Sequence, residues 1–204
     1  MLCRRYTLAF ATLLGSMFCG AVAQARPEAD GVYHRFDGDL ALRLFAGPHF
    51  DLENQSARLA LGAESHFFWS VGLYANYEER LSHANSQPSL VRAAALGVSL
   101  RPLFLLRFKE NLEQGPALLD LTLDSLSLGF GAFAGQPERG SLGDSTGGEL
   151  WLELGVPLLK SAQGPWIVLR SGRRFGGEEA WFLRGALSFD VFFLSPVTAA
   201  TPGY

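Results

Sequence analysis

Cysteine is almost missing from this chain of 204 residues: there are two, Cys3 and Cys19, and both fall within the first 25 positions. The remainder therefore has no thiol, which excludes a disulfide framework, a cysteine nucleophile and thiolate metal ligation there. Lysine is nearly as scarce, with only Lys109 and Lys160. The other bases are arginines without any basic block, so the electrostatic footprint of a nucleic-acid-binding protein is absent. Beyond residue 25 no apolar run reaches the roughly 18 residues that mark a spanning helix. Low-complexity tracts and repeats of fixed period are missing as well. The length left, about 180 residues, suits one domain.

The first 25 residues read as a cleaved secretory signal. Arg4 and Arg5 supply the positive start, Tyr6 to Cys19 is apolar and uncharged, and Ala23-Gln24-Ala25 has the small-residue pattern of a cleavage site. The apolar stretch is too short for an anchor that spans a bilayer. Met17-Phe18 before Cys19 is too bulky for lipid attachment at that cysteine. Without Arg4 and Arg5, 15 basic side chains face 20 acidic ones. The expected organisation is a signal over 1–25, a β-domain over 26–194 and a tail over 195–204.

What the domain does have is a two-residue beat. Asp39-Leu40-Ala41-Leu42-Arg43-Leu44, Arg58-Leu59-Ala60-Leu61-Gly62-Ala63-Glu64 and Glu149-Leu150-Trp151-Leu152-Glu153-Leu154 alternate a large apolar residue with a small or charged one. That is strand periodicity with two unlike faces. Eight segments carry it, near 37–47, 57–65, 68–78, 91–101, 121–134, 148–158, 165–173 and 180–193. Turn chemistry separates several of them, at Gly47-Pro48, Ser82 to Pro88, Gly135 to Gly148, Gly164-Pro165 and Gly176-Gly177. Pro102 to Gly115 favours a short helix, with Phe104, Phe108 and Leu112 four apart on one side. Extension of the fourth strand through Leu103 to Phe108 is the alternative.

One face of the strands collects leucines, valines and aromatics, with Trp69 and Tyr77 among them. The other collects Gly, Ala and Ser together with Asp39, Arg43, Arg58, Glu64, Arg101, Glu149, Glu153, Arg184 and Asp190. The seventh strand, Trp166-Ile167-Val168-Leu169, is apolar on both faces and stays unassigned. Eight strands close either as a soluble barrel, apolar inside, or as a transmembrane barrel, apolar outside. Small residues have no use on a water-facing surface but fit a narrow interior that side chains just fill. Charges of both signs recur on that same face, where they can pair. Aromatics gather toward strand ends (Phe67, Phe68, Trp69, Tyr77, Trp166, Trp181, Phe192 and Phe193), as in the girdles at membrane interfaces. The expected fold is an all-β, eight-stranded antiparallel up-and-down transmembrane β-barrel, apolar face outward.

With leader, strand count, alternation and missing cysteine together, the stretch from about 37 to 194 resembles the small eight-stranded outer-membrane barrels of Gram-negative bacteria, the OmpA/OmpX type. The resemblance implies that both termini lie on the periplasmic side. Loops near 48–56, 79–90, 135–147 and 174–179 would face outward. One departure is that such barrels end on their last strand with an aromatic residue. Here Phe193 ends the strand and Ser195 to Tyr204 follows.

Candidate chemistry is sparse. Gly143-Asp144-Ser145-Thr146-Gly147-Gly148 approaches the nucleophile segment of trypsin-like proteases, but Thr146 spoils the spacing and a Gly/Ser loop accounts for it. Glu64-Ser65-His66 holds the three side-chain types of a triad, yet on a strand Ser65 points away from the other two. Ser65 or Ser82 with His66 or His83 remains the basis for a lipid-modifying hydrolase or acyltransferase. Asp37 and Asp39 with nearby His34 fall short of a metal-ligand set beside Arg35 and Arg43. The expectation is a barrel without enzymatic activity or cofactor, embedded in outer-membrane lipid. Its loops would contact an envelope or extracellular partner, and nucleic acid is excluded. A soluble periplasmic ligand-binding barrel is the second alternative.

Overall fold

The computed structural model describes residues 32–34, 38–81, 90–110, 112, 115–177 and 179–193. The expected leader, Arg35, Asp37, Ser82, His83 and the tail 195–204 lie outside the described residues. Eight strands, β1 (Leu40–Asp51), β2 (Ser56–Phe67), β3 (Val71–Arg80), β4 (Arg92–Leu100), β5 (Ser127–Gln136), β6 (Ser145–Pro157), β7 (Gly164–Gly176) and β8 (Ala180–Phe193), form a closed barrel in sequence order. Every neighbouring pair is antiparallel, and β8 returns to β1 with Leu40 opposite Phe193 and Arg43 opposite Asp190. Two short helices, α1 (Pro102–Lys109) and α2 (Ala117–Asp124), connect β4 to β5. This connection, the β2–β3 and β6–β7 turns, the start of β1 and the end of β8 share one end of the barrel, the terminal end. The β1–β2, β3–β4, β5–β6 and β7–β8 connections lie at the far end.

Each strand alternates burial along its length. In β6, Glu149, Trp151 and Glu153 are buried while Leu150, Leu152 and Leu154 are exposed. β7 resolves in the same way: Trp166, Val168, Arg170 and Arg174 point in, and Ile167 and Leu169 point out.

Several expectations are corrected. Gly47-Pro48 is not a turn, because β1 runs through it to Asp51. Pro48 has no N–H to donate, and it simply interrupts the ladder to β8 between the Ala46–Leu187 and His49–Arg184 pairs. The fifth strand begins at Ser127, since 117–124 is helical. The alternation of Leu119-Asp120-Leu121-Thr122-Leu123-Asp124 looks strand-like, but Asp120 and Asp124 are also one helical turn apart. Both reach Arg107 of α1, with Asp124 Oδ1 at 2.9 Å from Nε. The helix expected over 102–115 ends at Lys109. Phe104 and Phe108 do stack, at 5.9 Å, while Leu112 stays exposed.

The third strand starts at Val71 and not at 68. Phe68 and Trp69 form the tip of the β2–β3 turn with φ of 45° and 56°. Ser70 N–H donates to Phe67 O at 3.0 Å. Paired positive φ is usually met with Asn-Gly in such turns, so two aromatics here carry no turn signal. Their left-handed backbone is disfavoured by about 1–2 kcal/mol per residue, and packing has to offset it. Trp69 turns inward and lies parallel to Phe192 at 5.2 Å, with Trp166 at 5.8 Å. Trp69, Trp166 and Phe192 therefore do not join an outer girdle. With Phe104, Leu121, Ala41, Ala162 and Val168 they close the terminal end from inside.

Candidate functional site

Among the described residues, most of the buried charge lies in the barrel interior. All nine charges read from the sequence, Asp39, Arg43, Arg58, Glu64, Arg101, Glu149, Glu153, Arg184 and Asp190, are buried. Five further titratable groups join them that sequence reasoning passed over, His49, Asp51, Glu78, Arg170 and Arg174, with Asn76 donating to Glu78 at 3.2 Å. All but Asp39, which lies just before β1, sort into two layers along the barrel axis.

The layer nearer the terminal end holds Arg43, Arg101, Arg170, Glu64, Glu153 and Asp190. Arg43 clamps Asp190 with two parallel bonds, Nε to Oδ1 at 2.8 Å and Nη2 to Oδ2 at 2.9 Å, and donates from Nη1 to Glu153 Oε1 at 2.8 Å. Arg170 donates from Nε to the other Glu153 oxygen at 2.8 Å and from Nη2 to Glu64. Its guanidinium lies 3.7 Å from the centre of the Trp151 ring. Arg101, immediately before α1, sits 4.2 Å over Trp69, and its guanidinium makes no hydrogen bond to a described residue.

The far layer is built around Glu78, which accepts from Arg58, from both terminal nitrogens of Arg174 (2.6 and 3.0 Å) and from Arg184 at 2.7 Å. Arg58 also reaches Asp51 at 3.3 Å, and Arg174 Nε reaches Glu149 at 3.1 Å. Tyr74 O–H donates to the other Glu149 oxygen at 2.9 Å. His49 stacks on Phe182 at 5.0 Å. Each layer sets three guanidiniums against three carboxylates, so neither carries a net charge. Charges removed from water need such partners, because uncompensated desolvation amounts to several kcal/mol per ion.

Glycine makes room for the rings in this interior. In the cross-strand register Phe45 lies opposite Gly62, Tyr74 opposite Gly97, Trp151 opposite both Gly129 and Gly172, and Phe133 opposite Gly147. A Cβ on Gly129 would enter the Trp151 ring, and one on Gly62 would enter Phe45. Small residues on the inner face thus leave room for aromatic side chains in the narrow interior.

The triad-like sequence does not assemble. His66 points inward, Ser65 outward, and Glu64 is engaged by Arg170. His66 Nε2 instead lies 3.1 Å from the hydroxyl of Ser99. A base beside a hydroxyl is the first element of a nucleophilic site, but His66 and Ser99 are about as buried as the ion pairs around them. A lipid or solute meets the pair only if the barrel opens. Among the described residues no group of three or more His, Cys, Asp or Glu side chains has metal-binding geometry.

No protein-family model matches the chain, and no curated protein matches it. Solved structures do. One, from work on the de novo design of transmembrane β-barrels, is 10% identical with a TM-score of 0.43, covering 74% of this chain and 95% of that one. Another, the solution NMR structure of the de novo designed TMB2.3, is 16% identical with a TM-score of 0.40, covering 76% and 97%.

Proposed function

We propose that this chain is an outer-membrane β-barrel without enzymatic activity, whose role is structural or is carried by contacts at its two ends. The observation that supports this is the inversion of the barrel. Its outer wall is an apolar belt on which Leu73, Leu96, Phe130 and Leu187 are each about 60% exposed, while its arginines and carboxylates are buried. In water that arrangement is unfavourable at every strand. In hydrocarbon it is the stable one, because closed strands satisfy their own backbone groups and the leucines need no partner. The interior is filled by ion pairs and rings, which argues against a wide pore. The described lining of the lumen is charged and polar along most of its length, which disfavours a soluble barrel built to hold an apolar ligand.

The test is fractionation followed by a semi-native gel. The protein is expected in the outer-membrane density fraction, and the unboiled sample is expected to migrate apart from the boiled one. A single unchanged band in the soluble periplasmic fraction would overturn the proposal.

A further inference from the structure

The two helices at the terminal end repeat the inversion of the barrel. Asp120 and Asp124 of α2 are buried against Arg107 of α1. Asp120 also accepts from the Gly115 N–H and lies 2.9 Å from the Tyr33 hydroxyl. The residues turned outward are Leu105, Leu106 and Phe108 of α1 and Leu118 and Leu119 of α2, all 43% exposed or more. A helix pair folded against water would do the opposite and hide its leucines. Nothing in the sequence forces this choice, since the same helices rotated would expose Arg107, Asp120 and Asp124. Instead Phe104 and Leu121 anchor the pair to the barrel plug, and Ser125 locks α2 to β6 by accepting from the Gly155 N–H at 2.8 Å.

The outward face continues into the barrel wall. A groove of about 400 Å³ runs between α1 and the β2–β3 turn, lined by Phe68, Ser70, Phe104, Leu105 and Phe108. Phe68 is held there on a left-handed backbone, its ring edge-on to Phe67 at 4.5 Å. Phe67 in turn belongs to the exposed apolar face of β2. A strained aromatic kept exposed beside an apolar groove is what a binding surface looks like when its ligand is hydrocarbon.

We infer that α1 and α2 form a lipid-binding foot. Their outer face lies in the headgroup–acyl boundary of the leaflet at the terminal end, and the groove beside Phe68 takes an acyl chain of a lipid of that leaflet. The inference rests on the membrane reading above, and it adds a specific contact that an eight-stranded barrel does not need. Lipid is favoured over a protein partner on two grounds. The groove is continuous with the belt, and among the described residues the charges of Arg107, Asp120 and Asp124 are turned away from the leucine face. Lys109, the last residue of α1, is exposed and pairs with exposed Glu110 at 3.7 Å, a polar edge to the apolar face of the kind that suits a headgroup region.

Spin labelling tests this with the full chain in dimyristoylphosphatidylcholine nanodiscs, with Cys3→Ser and Cys19→Ser as background. Single labels go on Leu105→Cys in the groove, Leu118→Cys on α2, Leu96→Cys at mid-belt and Leu142→Cys in the far-end loop. Each is read by its collision with oxygen against a water-soluble nickel chelate. The expected result is an oxygen-to-nickel ratio at positions 105 and 118 that is severalfold above that at 142 and approaches that at 96. The label at 118 supplies the answer if the groove variant does not fold. Nickel access at 105 and 118 with lipid access at 96 would put the foot in water and overturn the inference, leaving the membrane reading intact. Shielding of both labels from both probes would mean that protein covers the face, whether this chain's own segments or a second copy, and would overturn it too. Nickel access at 96 would overturn the membrane reading itself.

Discussion

Leu96 is the position at which the inverted barrel makes its sharpest quantitative demand. It lies at the middle of β4, 65% exposed, with Ala75 and Ala132 as its cross-strand neighbours. Replacing it with arginine in a water-facing wall changes almost nothing, since exposed substitutions of this kind fall within about 0.5 kcal/mol. In a lipid-facing wall the new guanidinium has no carboxylate beside it. The nearest strand end is four residues away, about 13 Å along the strand, too far for the stem to carry the charge to the interface. An arginine on the lipid face costs about 2–4 kcal/mol at the bilayer midplane and about 0–1 near the interfaces. The expected loss for Leu96→Arg is therefore about 3 kcal/mol, a factor on the order of a hundred in the folding equilibrium. Leu142→Arg, in the loop 137–144 between β5 and β6, is expected to lose about 1 kcal/mol or less by the same depth dependence.

The assay is reversible urea titration of the barrel folded into phospholipid vesicles, with stability taken by linear extrapolation at matched slope. If Leu96→Arg and Leu142→Arg are indistinguishable and both cost under about 0.5 kcal/mol, the belt does not face lipid and the outward leucines need another explanation.

Two further outcomes follow from the interior. Glu78→Gln replaces the carboxylate shared by Arg58, Arg174 and Arg184 with a neutral amide, and breaking a buried pair of this kind costs about 3–5 kcal/mol. Arg92→Gln at the rim, where Arg92 and its partner Glu79 are both about half exposed, is expected to lose about 1 kcal/mol or less in the same titration. Gly129→Val drives a side chain into Trp151, and overpacking of this sort costs about 1–3 kcal/mol. It should weaken the heat-sensitive gel shift, while Gly185→Ala, whose Cβ meets nothing within 4 Å, should leave it unchanged.

The strands were legible because alternation writes burial directly into sequence order. Once the inner face was taken to be the small and charged one, the nine inward charges could be read off by parity. The losses have local causes. His49 and Asp51 were hidden because Gly47-Pro48 carries a turn signal, although a proline facing outward interrupts only one side of the ladder. Arg170 and Arg174 were hidden because Trp166 and Val168 make the inner face of β7 as apolar as its outer face where the strand begins. Trp69 was placed outside by extending strand parity into a turn, where parity does not hold. The second helix was missed because Asp120 and Asp124 satisfy a two-residue and a four-residue spacing equally. Arg107, contributed by another helix, reaches both carboxylates and so favours the four-residue spacing.

The shortage of lysine in the sequence follows from this interior. An eight-stranded barrel leaves little room, so each cation must satisfy several acceptors from one position. A guanidinium does this with a planar fork, as in the paired bonds from Arg43 to Asp190 and from Arg174 to Glu78. An ammonium is a point charge and would leave carboxylate oxygens unmet. Both lysines, Lys109 and Lys160, are exposed. The pairs also act on closure. Arg43 and Asp190 stand directly opposite each other across the seam where β8 meets β1. A slip of one residue there would turn one of them, with its whole strand, toward the belt side. In hydrocarbon such a slip strands charges, so the ion pairs that contribute little net stability over well-packed apolar residues select the register in which the barrel closes. A lumen closed by matched charges and glycine-seated rings leaves the two ends as the surfaces free to meet other molecules. Among the described residues, the terminal end carries the apolar helix face and the groove beside Phe68.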